Sequence, residues 1–312
     1  MRGAAAVAGR HAIAAADIAA AAQLACLLEA SAPKPGNVSP ARRFEDAGYE
    51  DFLASAAAIG APLADAGAYP LGASIRRAVE ATARWTRSNT NLGIVLLLAP
   101  LARAAFALAR RDVAIGCGRT GGFAGALRSE LRGVLDSTTV DDARQTYAAI
   151  RLAAPGGLGR VESQDGSGEP DVTLFEAMRL AADRDGIARE YATVFSRTFE
   201  NGVTALERAR GDGLAWNDAI VETFLMLLAA APDTHVARRG GQARAEDVLR
   251  QARAVVDAGA VRTDAGRRAI AGLDAALGDE RHLTNPGTTA DLTAAAIFVV
   301  LLGGGWTRQT EA

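Results

Sequence analysis

Lysine is almost absent from this sequence: Lys34 is the only lysine among 34 lysine and arginine residues. A lysine ammonium is a compact point charge, whereas the arginine guanidinium is larger and planar. Because arginine serves everywhere else, the one retained ammonium is a candidate for a role that needs a small cation. The alternative is chance survival of a single lysine in an arginine-rich chain.

Cysteine is scarce as well, with Cys26 and Cys117 as its two occurrences in 312 residues. Their wide separation argues against a disulfide framework or a zinc motif, and favours a reducing compartment. The net charge is only −2, which gives no sign of a surface for nucleic acid or membrane. The longest apolar run, residues 92–102, is short for a bilayer and contains Pro100. We predict a cytoplasmic protein that acts on small molecules; self-association into a homo-oligomer stays open.

A strand pattern is also missing, because no segment combines apolar–polar alternation with β-branched enrichment. Alanine, leucine and arginine dominate, and all three favour helix. The sequence therefore predicts an all-α, single-domain, multi-helix bundle over residues 1–312, with a buried central helix. The predicted helices cover residues 15–30, 49–60, 72–87, 91–110, 123–135, 140–153, 172–184, 187–210, 215–230, 243–258, 264–277 and 288–303.

The central helix of this bundle is predicted at residues 91–110, which are apolar on nearly every face. Residues 88–91, Ser-Asn-Thr-Asn, are all good N-cap types, and one would suffice to start the helix. Free backbone N–H groups and the positive end of the helix dipole make such a terminus a site for phosphate. The alternative is a well-capped core helix without a ligand.

The single lysine lies in a rigid segment. Pro33 and Pro35 restrict the backbone on both sides of Lys34, and Gly36 permits a turn or a close approach to a ligand. We interpret the segment as presenting one ammonium to phosphate. Lys34→Ala is then expected to weaken nucleotide binding roughly 10- to 150-fold with little change in Tm. A proline-rich connector is the alternative.

Further polar segments border the other apolar helices, at residues 233–241 and 285–291. Together with the Lys34 segment and residues 89–93, they predict one shared pocket within the bundle. Glycine-rich residues 111–122 and 154–170 are interpreted as lids or ligand loops. The latter segment follows a helix, which makes it neither a Walker loop nor a dinucleotide fingerprint.

The order of these motifs resembles the ATP:dephospho-CoA triphosphoribosyl transferase family, over roughly residues 15–303. The matching segments are Pro33-Lys-Pro-Gly-Asn-Val38, Asp51-Phe52 with Ser55-Ala56, Asn89-Thr90 with Gly93, Asp233-Thr234 with Arg239-Gly-Gly241, and Asn285-Pro-Gly287 with Ala290-Asp-Leu292. The bacterial citrate-lyase type usually has Asn-Thr-His-Lys-Gly where this chain has Asn-Thr-Asn-Leu-Gly at residues 89–93. The chain is therefore similar to a divergent branch found in archaea and methylotrophic bacteria.

The resemblance implies an all-helical transferase that joins C1 of the ATP ribose to the 2′-hydroxyl of 3′-dephospho-CoA and releases adenine, with Mg²⁺–ATP as substrate. That reaction needs a base, help for the leaving adenine and cations for the triphosphate. Two alternatives remain: a pentosyl transferase with another acceptor in one-carbon, methanopterin-type cofactor synthesis, and a non-enzymatic helical binding protein.

The candidate site residues follow from their positions in or beside these motifs. The catalytic candidates are Asp51, Asp233 and His235, and the base stays open between Asp233, His235 and another carboxylate. The candidates for binding nucleotide are Lys34, Gly36, Asn37, Asn89, Thr90, Asn91, Gly93, Arg239, Gly240, Asn285 and Gly287. The candidates for Mg²⁺ are the carboxylates Glu80, Asp233 and Asp291.

Overall fold

The computed structural model describes residues 13–44, 47–111, 120–153, 170–278 and 284–306. Throughout these ranges the regular structure is helical, and an isolated bridge between Ser39 and Arg42 is the sole β pairing. The predicted all-α class is confirmed. Most of the glycine-rich segments predicted as lids or ligand loops, residues 112–119 and 154–169, lies outside the described residues.

The α-helices follow one another along the described residues. They are α1 Ala15–Ser31, α2 Tyr49–Ala58, α3 Gly60–Ala64, α4 Leu71–Ala83, α5 Leu92–Arg110, α6 Thr120–Asp136, α7 Val140–Ala153, α8 Leu174–Ala181, α9 Gly186–Ala192, α10 Thr204–Gly211, α11 Trp216–Ala230, α12 Thr234–Gly240, α13 Gln242–Asp257, α14 Asp264–Ala276 and α15 Gly287–Leu302. A π-helical turn, Arg197–Val203, precedes α10, and a 3₁₀ turn, Ala260–Arg262, precedes α14.

Two apolar helices form the centre of the bundle. Residues 94–102 of α5 and residues 292–300 of α15 are all buried, because neither helix has a polar face along that stretch. The two helices pack against each other, while α4 and α6 cover α5 and α1 and α11 cover α15. Of the straight helices in the described part of the chain, α5 alone is long and apolar enough to cross a bilayer, yet 67% of its span is buried inside the molecule. The predicted burial of residues 91–110 is confirmed.

A proline inside α5 is compensated by a tyrosine from another helix. Pro100 has no N–H, so the carbonyl of Leu96, four residues earlier, lacks its helical donor. The hydroxyl of Tyr191 in α9 donates to that carbonyl at 2.6 Å, and Tyr191 is fully buried. This bond satisfies the orphaned carbonyl inside the core and ties α9 to α5.

Tyr191→Phe removes only this hydroxyl and leaves the Leu96 carbonyl buried without a donor. We expect the variant to lose about 1–3 kcal/mol of unfolding free energy, measured by urea denaturation. Tyr69→Phe is the matched control, because Tyr69 is 38% exposed, and its loss should stay within about 0.5 kcal/mol. Equal stability of the two variants would contradict the compensating role of Tyr191.

Several predicted boundaries were wrong. The helix predicted at 187–210 is broken after α9, where Val194 and Phe195 adopt positive φ angles of 51° and 56°. The fully buried carboxylate of Glu190 accepts the N–H groups of Arg197 and Thr198 at 3.1 and 2.8 Å. This anchors the start of the π-helical turn, so the chain turns sharply between the two helices.

Candidate active site

Four of the predicted polar segments meet where α5, α12 and α15 begin. The Thr234 and Thr288 hydroxyls share a hydrogen bond of 3.1 Å. The ring of His235 lies against Gly287, so close that a Cβ there would be 2.6 Å from Nδ1. At the start of α5, the carboxylate of Asp291 lies against Gly93. The Lys34 segment joins the same region, since Pro286 packs on Gly36.

Asp233 joins the beginnings of α12 and α15 and is 1% exposed. Its Oδ1 accepts the backbone N–H groups of His235 and Val236 at 2.9 and 3.1 Å. Its Oδ2 accepts the N–H and the hydroxyl of Thr289, both at 2.7 Å. Four donors therefore occupy this carboxylate, which explains why residues 234–240, interpreted from the sequence as a loop, form a helix. Asp233 holds the site together and has little capacity left for a substrate proton.

His235 has one ring nitrogen that is hydrogen-bonded and one without a partner among the described residues. Its Nδ1 lies 3.0 Å from the carbonyl oxygen of Asn285, which can only accept, so Nδ1 carries the hydrogen and Nε2 is an acceptor. Burial lowers the pKa of His235, the charges of Arg238 and Arg239 add to that effect, and Asp233 opposes it. The imidazole is therefore neutral at pH 7.

Asp291 has hydrogen-bonding capacity that the described residues leave unused. No hydrogen bond to it is found within the described residues, whereas its Oδ2 faces Gly93 so closely that a Cβ there would lie 2.0 Å away. Burial raises the pKa of Asp291 well above its usual range, and the charges of Glu29, Asp233 and Asp185 raise it further. A perturbed carboxyl group that lies at a cluster of helix ends is a candidate for proton transfer.

Lys34 is enclosed and paired. Its ammonium lies 3.0 Å from Glu29 Oε1, and neither side chain is more than 5% exposed. It also donates to the backbone carbonyls of Glu29 and Ala32. The ammonium thus closes the C-terminal end of α1. Phosphate binding by Lys34 stays a prediction, but the expectation that its removal leaves Tm unchanged is reversed, because the partner carboxylate would be stranded.

Gly36 and Asn37 shape the turn after Lys34. Gly36 has a φ of 74°, which favours glycine, and its N–H donates to Asp274 Oδ1 at 2.9 Å. Asn37 donates from Nδ2 to the Pro35 carbonyl at 3.0 Å. Both residues are buried, and the contacts that the structure shows for them are structural.

A small cleft opens beside the start of α5. It is lined by Val79, Thr82, Ala83, Thr86, Arg87, Ser88, Asn89, Thr90, Asn91, Leu152 and Ala153. It therefore lies between the end of α4, the end of α7 and the polar turn that precedes α5. Within this turn the Thr90 hydroxyl pairs with that of Ser55, which fixes the turn on α2.

For other predicted site residues the structure shows local contacts, and their functional roles stay predictions. Asp51 Oδ2 accepts the N–H of Gly48 at 2.8 Å, in the first turn of α2. Glu80 forms a surface ion pair with Arg76 at 2.7 Å. Among the described residues no three His, Cys, Asp or Glu side chains are grouped so as to hold a metal ion, so the predicted set of Glu80, Asp233 and Asp291 is not assembled. Arg239 and Gly240 lie exposed at the end of α12.

Sequence reasoning missed Glu29 and Thr289, the partners of Lys34 and Asp233. For Glu29 a signal existed, since it is the only acidic residue in α1 besides Asp17 at the first turn. A lone carboxylate in an alanine-rich helix five residues before the only lysine indicates a buried pair.

Asp291→Asn should make the protein more stable at pH 7. The pKa of Asp291 is raised by folding, so its favourable contribution is complete below about pH 4 and is lost as the pH rises through the folded-state pKa. The neutral amide avoids that loss, and a gain of roughly 0.5–2 kcal/mol is typical of such changes. Thermal unfolding from pH 4 to pH 8 would test it: curves for both proteins that run parallel over the whole range would contradict the shift.

Comparison with known proteins identifies the family of this chain. A family model described as ATP:dephospho-CoA triphosphoribosyl transferase matches residues 15–310. A relative from Pseudomonas aeruginosa PAO1 is 35% identical over 125 residues, covering 39% of this chain and 42% of the relative. One from Azotobacter vinelandii is 30% identical over 142 residues, covering 46% and 48%. Both are named "Probable 2-(5''-triphosphoribosyl)-3'-dephosphocoenzyme-A synthase".

A solved structure extends the similarity to the fold. The crystal structure of a candidate triphosphoribosyl-dephospho-CoA synthase from Archaeoglobus fulgidus has a TM-score of 0.60 and 27% identity, and the match covers 81% of this chain and 99% of that one. The curated relatives are matched over less than half of their own length. Because the family model spans nearly the whole sequence, the chain belongs to the ATP:dephospho-CoA triphosphoribosyl transferase family.

Proposed function

We propose that this protein transfers the triphosphoribosyl group of ATP to the 2′-hydroxyl of 3′-dephospho-CoA and releases adenine. The family match over residues 15–310 carries this proposal. Three helix beginnings meet around Asp291, a carboxylate without a hydrogen-bond partner among the described residues, and this supports the proposal. The two cysteines and the small-molecule substrates are consistent with a cytoplasmic location.

Asp291 is the group that we assign to the acceptor proton. During transfer the bond from C1′ of the ribose to N9 of adenine breaks, and its electron pair leaves with the base. The acceptor oxygen forms the new bond to C1′ and gives up its proton to the Asp291 carboxylate. The departing adenine then takes up this proton, which regenerates the carboxylate. The ribose passes through an oxocarbenium-like state, which a nearby negative charge stabilises. Asp233 and Thr289 fix the backbone from which Asp291 projects.

We assign the triphosphate to the side of the site formed by α12 and α15. Arg238 and Arg239 are exposed in the last turn of α12, and guanidinium groups are favourable partners for phosphate oxygens. Mg²⁺ is proposed as part of the Mg–ATP substrate, because this ion is usually held by phosphates and one or two carboxylates. The neutral His235 lies between these groups, with Nε2 available to accept a hydrogen bond.

Release of adenine from Mg–ATP, followed by chromatography with and without 3′-dephospho-CoA, tests the proposal. We expect release that depends on 3′-dephospho-CoA, together with a product whose mass equals the acceptor plus the triphosphoribosyl group. Adenine release with a different hydroxyl acceptor alone would retain the reaction type and replace the acceptor. No release under any of these conditions would remove the proposed function.

A further inference from the structure

We propose that the cleft between α4, α7 and the start of α5 binds the base of a 6-aminopurine nucleotide. In this proposal Asn91 accepts a hydrogen bond from the edge of the base, and Asn89 donates one to it. The choice of adenine rests on the proposed function, because ATP and 3′-dephospho-CoA both carry this base. The proposal assigns this cleft to the base, whereas the sequence suggested phosphate at the same turn.

The orientation of the Asn91 amide is fixed by its neighbours. The Thr82 hydroxyl donates its one hydrogen to the Ala78 carbonyl at 3.2 Å. Its oxygen must therefore accept from Asn91 Nδ2 at 3.1 Å. Nδ2 also faces the carbonyl of Ser55, 3.5 Å away, which can only accept. The side chain is 6% exposed and cannot turn over without losing these bonds. Asn91 Oδ1 is left as an acceptor without a partner among the described residues.

Asn89 has the opposite arrangement on the same cleft. Its Oδ1 accepts the N–H of Leu92 at 3.0 Å, in the manner of a helix cap. The amide nitrogen Nδ2 therefore remains as a donor. The cleft thus offers one fixed carbonyl oxygen and one amide N–H₂ from residues two apart. Adenine carries the complementary pair, an exocyclic amino group beside an accepting ring nitrogen.

The rest of the lining suits a neutral ring better than a triphosphate. Among the described residues that line the cleft there is no carboxylate, and Arg87 is the one cation, whereas phosphate binding calls for several cations or free N–H groups. Val79 and Ala83 on α4, with Leu152 and Ala153 on α7, supply apolar surface for the faces of a base. Leu152 is 45% exposed, and a stacked base would cover it.

Calorimetric titration of AMP and IMP tests the assignment without the reaction. IMP has a carbonyl oxygen in place of the amino group, which would face Asn91 Oδ1 unfavourably. The wild-type protein should prefer AMP by roughly 5- to 150-fold, the range for one well-matched base contact. Asn91→Ala should reduce this preference to less than about threefold. The exposed Asn217→Ala in α11 is the matched control and should keep it.

Asn89→Asp is a second variant that tests the proposal even if Asn91→Ala misfolds. The aspartate keeps the oxygen that accepts Leu92 N–H and replaces the amide donor with a charged carboxylate oxygen, so Tm should hold while AMP affinity falls several-fold. Retention of the AMP preference in both variants, or equal binding of AMP and IMP by the wild type, would overturn the proposal.

Steady-state kinetics of Asn89→Asp identify which substrate supplies the base. A rise in KM for ATP alone supports the proposal and assigns the cleft to the donor; a rise for 3′-dephospho-CoA alone supports it and assigns the acceptor. The wild type could release adenine while the variant keeps both KM values and the AMP preference. That result would overturn the base site and leave the proposed function standing. If the wild type binds AMP selectively, the variants lose this selectivity and no adenine is released, the base site stands and the proposed function is overturned.

Discussion

Lys34→Ala should lower the free energy of unfolding by about 3–5 kcal/mol, the usual effect of removing one partner of a buried ion pair. The ammonium lies 3.0 Å from Glu29 Oε1 inside the protein, and its loss leaves that carboxylate without its cation in a region that already contains Asp291. The unpaired charge would have to take up a proton or draw water into the core. Urea denaturation followed by circular dichroism measures the change directly.

Two further variants separate charge from packing in this prediction. Glu29→Gln combined with Lys34→Met removes both charges and keeps similar volume, so it should recover most of the lost stability. Arg76→Ala breaks the exposed pair with Glu80 and should change stability by no more than about 0.5 kcal/mol. If Lys34→Ala were no more destabilising than Arg76→Ala, the buried pair would have no structural role.

Gly93→Ala should reduce turnover by about 100-fold or more. A Cβ on Gly93 would lie 2.0 Å from Oδ2 and 2.5 Å from Cγ of Asp291, so the carboxylate must leave its position. Displacement of a reacting group by about 1 Å is enough for a loss of that size. The kcat for adenine release, measured beside Tm, would show whether the loss is catalytic rather than structural.

Gly133→Ala supplies the control for this substitution. Gly133 lies in α6, and a Cβ there would meet nothing within 4 Å, so alanine should raise stability by about 0.5–1 kcal/mol and leave kcat unchanged. Wild-type turnover in Gly93→Ala would show that the position of Asp291 is irrelevant to catalysis.

The helical core could be predicted because its signal is local and repeated. Residues 94–102 offer no polar face, and such a stretch has few places to go except the centre of a bundle. The break after α9 could not be predicted in this way. Val194 and Phe195 are poor candidates for positive φ angles, and their conformation depends on the buried Glu190 carboxylate holding the next turn. That anchor acts through tertiary packing and leaves no pattern in the chain.

The candidate site was likewise predictable from the sequence only in part. The order of the polar motifs was enough to indicate the family, because each motif stays at a helix end whatever its partners. The sequence was not enough to assign a role to each carboxylate, because Asp51, Glu80, Asp233 and Asp291 are chemically alike in it. Only their neighbours distinguish them: Asp233 accepts four hydrogen bonds, and Asp291 faces the bare backbone of Gly93.

The buried position of the only lysine also gives the protein a built-in reporter. Lys34 is 2% exposed, so an amine-acylating reagent has no lysine side chain to attack in the folded state, apart from the α-amino group of the chain. Acylation at Lys34, read by mass spectrometry at one peptide, would then occur only when the segment around residues 31–37 opens. The labelling rate would report the frequency of that local opening without an engineered probe, and coupling through lysine would immobilise or crosslink unfolded molecules in preference to native ones.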